Sequence, residues 1–188
     1  KGGELLDRGS YQVRAVRVDH RVAALGYCIE EPMRPGRFDL EKAKALGVPP
    51  GPDFGRLQRG EPVTLPSGVV VSPDAVLGAS RPGRKIVISG DTRPCAQLIE
   101  AAKGCDLLVH EATFSDDEQE RALETRHSTA REAGGVARDC GARRLVLTHL
   151  SSRHDTNPKL LLEQAKESYG GQCEVAFDGL SFELPVRE

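Results

Sequence analysis

The sequence predicts an α/β protein with its ligand crevice at strand ends, and three observations carry that expectation. Short apolar β-type runs at 85–92 (KIVISGDT), 106–113 (DLLVHEAT) and 143–154 (RRLVLTHLSSRH) each stop on polar residues suited to metal or acid/base chemistry. Strands buried on both faces read as unbroken Val/Ile/Leu runs, and in open α/β layers the crevice forms at their carboxyl ends. Between the runs lie helical stripes: Ala133, Val136, Ala137 and Cys140 recur at i, i+3, i+4 and i+7, the spacing of a core-facing helix.

The elements follow in order. YQVRAVRV (11–18) and VAALGYCI (22–29) read as strands separated by Asp19-His20-Arg21, which puts His20 between strands near an edge. From Glu30 to Pro66 the texture turns Pro- and Gly-rich, the mark of an inserted arm. It holds two short helix candidates, 40–46 with Asp39 as cap and 53–58 after Gly-Pro. A Pro-Ser-Gly turn at 66–68 separates two short β-type runs, and a regular strand–helix alternation begins after Arg84. The Ala133 helix has caps available in Ser128 or Thr129 and a stop in Gly141. Gly134 and Gly135 inside it cost about 1 kcal/mol each relative to alanine, so they predict close packing against another backbone. A last helix runs from Asn157-Pro158 to about Tyr169, with Leu161, Ala165 and Tyr169 in line.

Composition narrows the function classes. With 188 residues, 38% hydrophobic and 29% charged, the chain can bury one good core or form most of a two-layer α/β domain. A formal net charge of -2 provides no general basic field, so nucleic-acid binding has to come from local patches. The five cysteines include no Cys-x-x-Cys pair and read as buried thiols of a reducing cytosol, giving a cytoplasmic expectation. No apolar run approaches the roughly 18 residues of a membrane span. The chain begins at Lys1 and enters a strand-like run within a dozen residues, which leads to the expectation that it is a piece of something longer.

The polar strand-end residues carry the chemistry. Asp91, after a strand and before a helix, reads alone as a turn aspartate or helix cap. His149, after Leu-Val-Leu-Thr, reads either as a satisfied buried histidine or as a ligand, since neutral imidazole suits zinc. His20 taken singly reads as structural. His110 and Glu111 are neighbours on one strand and point to opposite faces, so only one of them serves a given site. His127 sits just before a helix start. His20, Asp91 and His149 together supply two imidazoles and a carboxylate, enough for a mononuclear site, and the carboxylate could also bridge two ions. No His-x-His or His-x-x-x-His pair occurs.

The segments VDHRVAALGYCIEEP, LGVPPGPDFGRLQRGEPV, VISGDTRPC, LLVHEATF, HSTAREAG and LTHLSSRH resemble, in that order, the ribonuclease Z family of tRNA 3′-end processing endonucleases, which has the metallo-β-lactamase fold. The likeness runs from about Asp19 to Leu184. It implies an αβ/βα sandwich of which residues 1–188 form about the carboxy-terminal half as a single domain, with 30–66 as an inserted tRNA-binding arm. It further implies two zinc ions per complete site, with His20 on the first, Asp91 bridging and His149 on the second. His127 would act at the scissile phosphate with Glu111 orienting it, and Gly51 and Pro52 would lie on the exosite that holds the tRNA body. Arg153 could meet a phosphate. Precursor tRNA is the implied substrate, and a homodimer the implied assembly.

Three departures from the family pattern sharpen the expectations. The family's His-x-His-x-Asp-His motif and the aspartate regarded as its general base belong to an amino-terminal half that these residues do not contain, so the chain alone is expected to be inactive. The usual Arg-Tyr ending of the last motif is Arg153-His154 here. From Glu30 to Pro62 six basic residues face six acidic ones, so phosphate docking requires the two signs to segregate. The competing readings are a related phosphodiesterase acting on small or cyclic nucleotides, with no use for a long arm, and a non-catalytic subunit that keeps the fold.

Overall fold

The computed structural model describes residues 2–154 and 156–187; Asp155 and the two ends of the domain expected over 1–188 lie outside them. The elements in chain order are β1 Gly3–Asp7, β2 Gln12–Arg17, β3 Leu25–Glu30, α1 Leu40–Ala45, α2 Pro52–Gln58, β4 Val63–Thr64, β5 Val70–Val71, β6 Lys85–Ile88, α3 Ala96–Ala102, β7 Leu107–Glu111, α4 Gln119–Thr125, α5 Ala130–Cys140, β8 Arg144–Thr148, α6 Pro158–Tyr169 and β9 Gln172–Val175. They divide into two compact units. The larger combines the first 32 residues with Arg84–Val186, and the smaller is Met33–Gly83 together with Arg187.

The larger unit is a seven-stranded mixed sheet in the order β1-β2-β3-β6-β7-β8-β9. Pairing is antiparallel from β1 to β6 and parallel from β6 to β9. Two antiparallel steps separate β2 from β6, so β2 runs the same way as β6, β7, β8 and β9. The carboxyl ends of five strands therefore share one edge of the sheet, and His20, Asp91, Glu111 and His149 all leave from it.

One sheet face is covered by helices. Val87, Leu108, Leu145 and Leu147 pack with Leu98 of α3, with Ala133, Val136 and Ala137 of α5, and with Leu161 and Ala165 of α6. Each fully buried leucine contributes about 1.5–3 kcal/mol of apolar transfer. The α5 stripe is buried as its spacing predicts. Thr129 caps α5 in a capping box with Glu132, and Gly141 ends the helix at φ 65°, the left-handed stop that glycine adopts without strain.

The two helix glycines prove unequal. A Cβ on Gly134 would stand 2.3 Å from the Ala165 carbonyl oxygen and 2.2 Å from Ser168 Oγ, whereas on Gly135 it would meet nothing closer than Arg138 Nη2 at 3.9 Å. Gly134→Ala is expected to destabilise by about 1–3 kcal/mol through overpacking of α5 on α6. Gly135→Ala is expected to stabilise by up to about 1 kcal/mol through helix propensity. Urea unfolding of the two variants checks the sign difference.

On the opposite face Leu25, Tyr27 and Ile88 remain 38%, 38% and 37% exposed. Burial on both faces, expected of all the core strands, holds for β7 and β8 but not for β6. The strand expected from Val22 starts only at Leu25, because residues 19–24 form the loop that carries His20; β1 and β9 had no expectation of their own.

The smaller unit has its own core of Ala43, Val48, Leu57, Val63, Leu65, Val71 and Val76, with the rings of Phe38 and Phe54 tilted against each other, centroids 5.0 Å apart. It extends past the expected boundary at 66, because Val71 and Val76 complete this core and Arg34 and Phe38 bridge to Arg81 and Leu77. Asp39 caps α1 through a 3.0 Å bond from Lys42 N. The charges do not segregate. Lys42 pairs with Asp39 at 3.1 Å, Lys44 with Glu41 at 3.0 Å, Arg56 with Asp53 at 3.6 Å and Arg59 with Glu61 at 3.1 Å.

All five cysteines are free thiols, with Cys28, Cys105, Cys140 and Cys173 buried and Cys95 half-buried. Burial pushes the Cys173 thiol up to about 11. Among the described residues no helix is long and apolar enough to cross a membrane.

Candidate active site

Glu111 ends β7 on the face opposite His110 and is 1% exposed. Its carboxylate ties three loops together. Oε1 accepts from Thr92 N (2.9 Å), in the turn after β6, and from His127 Nδ1 (2.8 Å). Oε2 accepts from Thr113 Oγ1 (2.8 Å), Thr113 N (3.3 Å) and Ser128 N (3.0 Å). Five partners fill its lone pairs, so Glu111 orients its neighbours and is not available as a ligand.

This network sets the histidine tautomers. A carboxylate only accepts, so His127 carries its proton on Nδ1 and leaves Nε2 toward the cleft. Thr113 gives its single hydroxyl proton to Glu111 and accepts from His149 Nδ1 at 2.9 Å, leaving His149 Nε2 as a lone-pair donor. His20 Nδ1 bonds the Arg126 carbonyl at 2.9 Å, which leaves its Nε2 in the same state. Imidazoles held at Nδ1 by an acceptor, with Nε2 open, have the disposition of metal ligands with a supporting outer partner.

Local backbone geometry aims these groups. His149 adopts φ 55° and Arg126 φ 59°, left-handed conformations that cost a non-glycine residue about 1–2 kcal/mol. In His149 the turn directs the ring toward Asp91, and in Arg126 it ends α4 and presents the carbonyl to His20. Gly90, at φ 62° before Asp91, makes a turn where any Cβ would stand 2.6 Å from the Leu25 carbonyl oxygen.

The site residues converge from far apart in sequence. His127 stands between two other imidazoles, with ring centroids 4.8 Å from His20 and 5.2 Å from His149, the latter pair nearly parallel. Asp91 Oδ1 is 3.7 Å from His149 Nε2. Ligand atoms of His20, Asp91 and His127 all lie within 4.8 Å of one another, as do those of Glu111, His127 and His149. Two ligands of one tetrahedral zinc, with bonds of about 2.0–2.2 Å, stand about 3.3–3.6 Å apart. The His149–Asp91 gap of 3.7 Å lies just above that spacing and beyond hydrogen-bond range, and the imidazole and carboxylate donors suit zinc. Asp91 and His149 are 43% and 49% exposed, so the cleft is open.

His110 faces the helices. It is fully buried, its Nδ1 bonds the Glu111 carbonyl at 2.7 Å, and its Nε2 has no partner among the described residues. Burial pushes its pKa down, so it sits there as neutral imidazole. Arg153 is half-exposed with Nη1 3.3 Å from Glu118, and Gly51 and Pro52 start α2 in the smaller unit.

Sequence reasoning passed over Thr113, Arg93 and Glu132. Arg93 Nη1 donates to Glu132 Oε2 (2.6 Å) and to the His127 carbonyl (2.8 Å), pinning the His127 turn to the loop after β6. Burial opposes ionisation of Glu132, but bonds from Arg93, Gln119 and Thr129 outweigh it and hold its pKa below the usual carboxylate range. The Thr-x-x-Glu capping box at 129–132 was a readable signal for Glu132. Nothing in sequence pairs Arg93 with it.

A two-layer α/β unit whose strand ends gather three imidazoles and two carboxylates has the makings of a metal site, and comparison with known proteins gives the family. The family described as "Beta-lactamase superfamily domain" matches residues 50–150, and the chain belongs to that superfamily. It is 68% identical over 188 residues to the ribonuclease Z of Myxococcus xanthus, covering 100% of this chain and 61% of that protein. It is 55% identical over 178 residues to the ribonuclease Z of Haloferax volcanii, covering 95% and 56%. The chain thus spans about 60% of the length of these curated relatives, and the resemblance drawn from its motifs is borne out. Among solved structures, the metallo-β-lactamase fold protein YhfI of Bacillus subtilis aligns with a TM-score of 0.60 at 19% identity, covering 94% of this chain and 51% of that one. The short form of human tRNase Z aligns at 0.58 and 24%, covering 97% and 47%. At these identities the structures speak for the fold.

Proposed function

We propose that this chain is the carboxy-terminal part of a zinc-dependent endoribonuclease that removes the 3′ trailer from precursor tRNA. The observation that carries the reading is the gathering of His20, Asp91, His127 and His149 around the Glu111 network in a chain 68% identical to a ribonuclease Z. The reading includes a homodimer acting in the cytoplasm. It assigns the remaining metal ligands and the general base to an amino-terminal part of the longer protein, which would also cover the half-exposed sheet face at Leu25, Tyr27 and Ile88.

His20, Asp91 and His149 would hold the metal through Nε2, a carboxylate oxygen and Nε2. Zinc at such a site polarises a phosphate and supplies hydroxide near neutral pH. His127, fixed through Nδ1 by Glu111, bears the acid role at Nε2. A proton there makes an imidazolium whose charge the adjacent carboxylate stabilises. As the bond between phosphorus and the tRNA 3′ oxygen breaks, that oxygen takes the Nε2 proton. Water's oxygen remains on phosphorus, giving a tRNA 3′-hydroxyl and a 5′-phosphorylated trailer with no covalent intermediate.

The smaller unit would hold the tRNA body, with Gly51 and Pro52 at the contact. The charge segregation expected of a phosphate-docking arm is not met by Lys42, Lys44, Arg56 and Arg59, each of which stands beside an acid, so the contact would rest on the Gly51–Pro52 backbone, with a shallow salt dependence. The test is excision. The larger unit brings residues 31 and 84 together, Glu31 N bonding the Arg84 carbonyl at 2.9 Å, so replacing 33–83 by a short linker is geometrically mild. In the full-length protein, excision should raise the KM for precursor tRNA at least about tenfold and spare bis(p-nitrophenyl) phosphate, since only the large substrate uses remote binding energy. Equal loss on both substrates would defeat the docking role. An unchanged KM would favour the small-nucleotide phosphodiesterase.

A further inference from the structure

Phe177 stands apart from the other aromatic side chains. The chain has five phenylalanines, three tyrosines and no tryptophan. Phe38 and Phe54 pack against each other at a tilt, Phe114 is 4% exposed and Phe182 lies under the Arg144 guanidinium at 4.6 Å. Phe177 is 68% exposed. Exposing a phenyl ring to water is unfavourable, and here the backbone holds it in place. Ala176 N donates to the Leu147 carbonyl at 2.8 Å, and Leu180 N closes a turn on the Phe177 carbonyl at 3.0 Å.

Its position is informative. Phe177 follows β9, the parallel neighbour of β8, so it leaves from the same sheet edge as His149 one strand away. The two side chains line one cleft, together with Thr148, Leu150, His154, Pro158, Val175 and Ala176. The cleft is mixed, with Phe177, Leu150, Pro158 and Val175 as its apolar side and Thr148, His149 and His154 as its polar side. An exposed aromatic ring flanked by aliphatic side chains suits the face of a base, and polar groups across the cleft suit its edge.

We propose that Phe177 forms a nucleobase-stacking subsite beside the catalytic edge, taking the base of an unpaired nucleotide that flanks the scissile phosphate. The proposal rests on the endoribonuclease reading and adds a positioning contact to it. Stacking on an aromatic ring is tolerant of base identity, and unpaired RNA is free to splay its bases onto such a platform. A base held there would fix the adjoining phosphate over His127 and His149.

The test uses the full-length protein with Phe177→Ala, Phe177→Leu and Phe177→Tyr. Ala and Leu should each lower kcat/KM on precursor tRNA by about 5- to 150-fold, the range of one lost base stack, and Tyr should stay within about twofold of wild type. Hydrolysis of bis(p-nitrophenyl) phosphate should not change. An abasic residue at one of the two nucleotides flanking the cleavage site should remove the difference between wild type and Phe177→Ala. With metal chelated, 2-aminopurine at that nucleotide should be quenched on binding to wild type and not to Phe177→Leu. Leu behaving as wild type, equal losses on the small diester, or losses indifferent to the abasic residue would overturn the proposal. Wild-type protein that hydrolyses the small diester but never cuts precursor tRNA would instead defeat the endoribonuclease reading beneath it.

Discussion

His127→Ala in the full-length protein lowers kcat on precursor tRNA by about 10²- to 10⁴-fold, the usual contribution of a positioned general acid, and leaves bound metal unchanged. The expectation comes from the division of labour around Glu111. His127 is held by that carboxylate at 2.8 Å with its ring between those of His20 and His149, and its ligand atom lies within 4.8 Å of those of His20 and Asp91, so it could be taken for a ligand. If it were one, its loss would release metal along with activity. Glu111→Gln separates the roles further. A neutral amide keeps the shape but cannot accept all five bonds or stabilise an imidazolium, so kcat should fall while KM holds. A substrate whose leaving group needs no proton, such as a p-nitrophenyl ester, should be far less sensitive to His127→Ala than the tRNA.

Asp91→Ala should lose both metal and cleavage, by more than the roughly 10- to 100-fold that removal of an outer-shell partner costs. Asp91 brings the only carboxylate among the three assigned ligands and has its Oδ1 3.7 Å from His149 Nε2. Its removal leaves imidazoles alone in this part of the site, and zinc affinity falls with each ligand withdrawn. Alanine introduces no packing penalty, because the side chain is 43% exposed. Folding should therefore be retained, and the variant isolates the metal.

Much of this site is legible in the sequence. Apolar runs ending on Asp91, Glu111 and His149 mark parallel strands, and parallel strands put their ends on one edge. The alternation rule separated Glu111 from His110 correctly, as the buried, inward-facing His110 shows. The Gly134 contact with α6 was also foreseeable, since a glycine inside a good helix stripe needs a reason. What stayed hidden depends on pairs distant in sequence. Thr113 acts only because His149 lies 36 residues on in the chain and 2.9 Å away in space. Arg93 is an ordinary surface arginine until the fold brings Glu132 to it. The segregation of charge in the arm could not be read from composition, because equal counts of acids and bases are compatible with two separate faces as well as with the i,i+3 pairs observed.

The central claim is that His20, Asp91 and His149 hold catalytic metal, and metal content tests it most directly. Full-length wild type and Asp91→Ala, purified side by side and equilibrated with limiting zinc, are to be analysed by plasma emission spectrometry. The account predicts two zinc ions per wild-type chain and a clear deficit in the variant, with circular dichroism unchanged. Equal zinc in both proteins would contradict it.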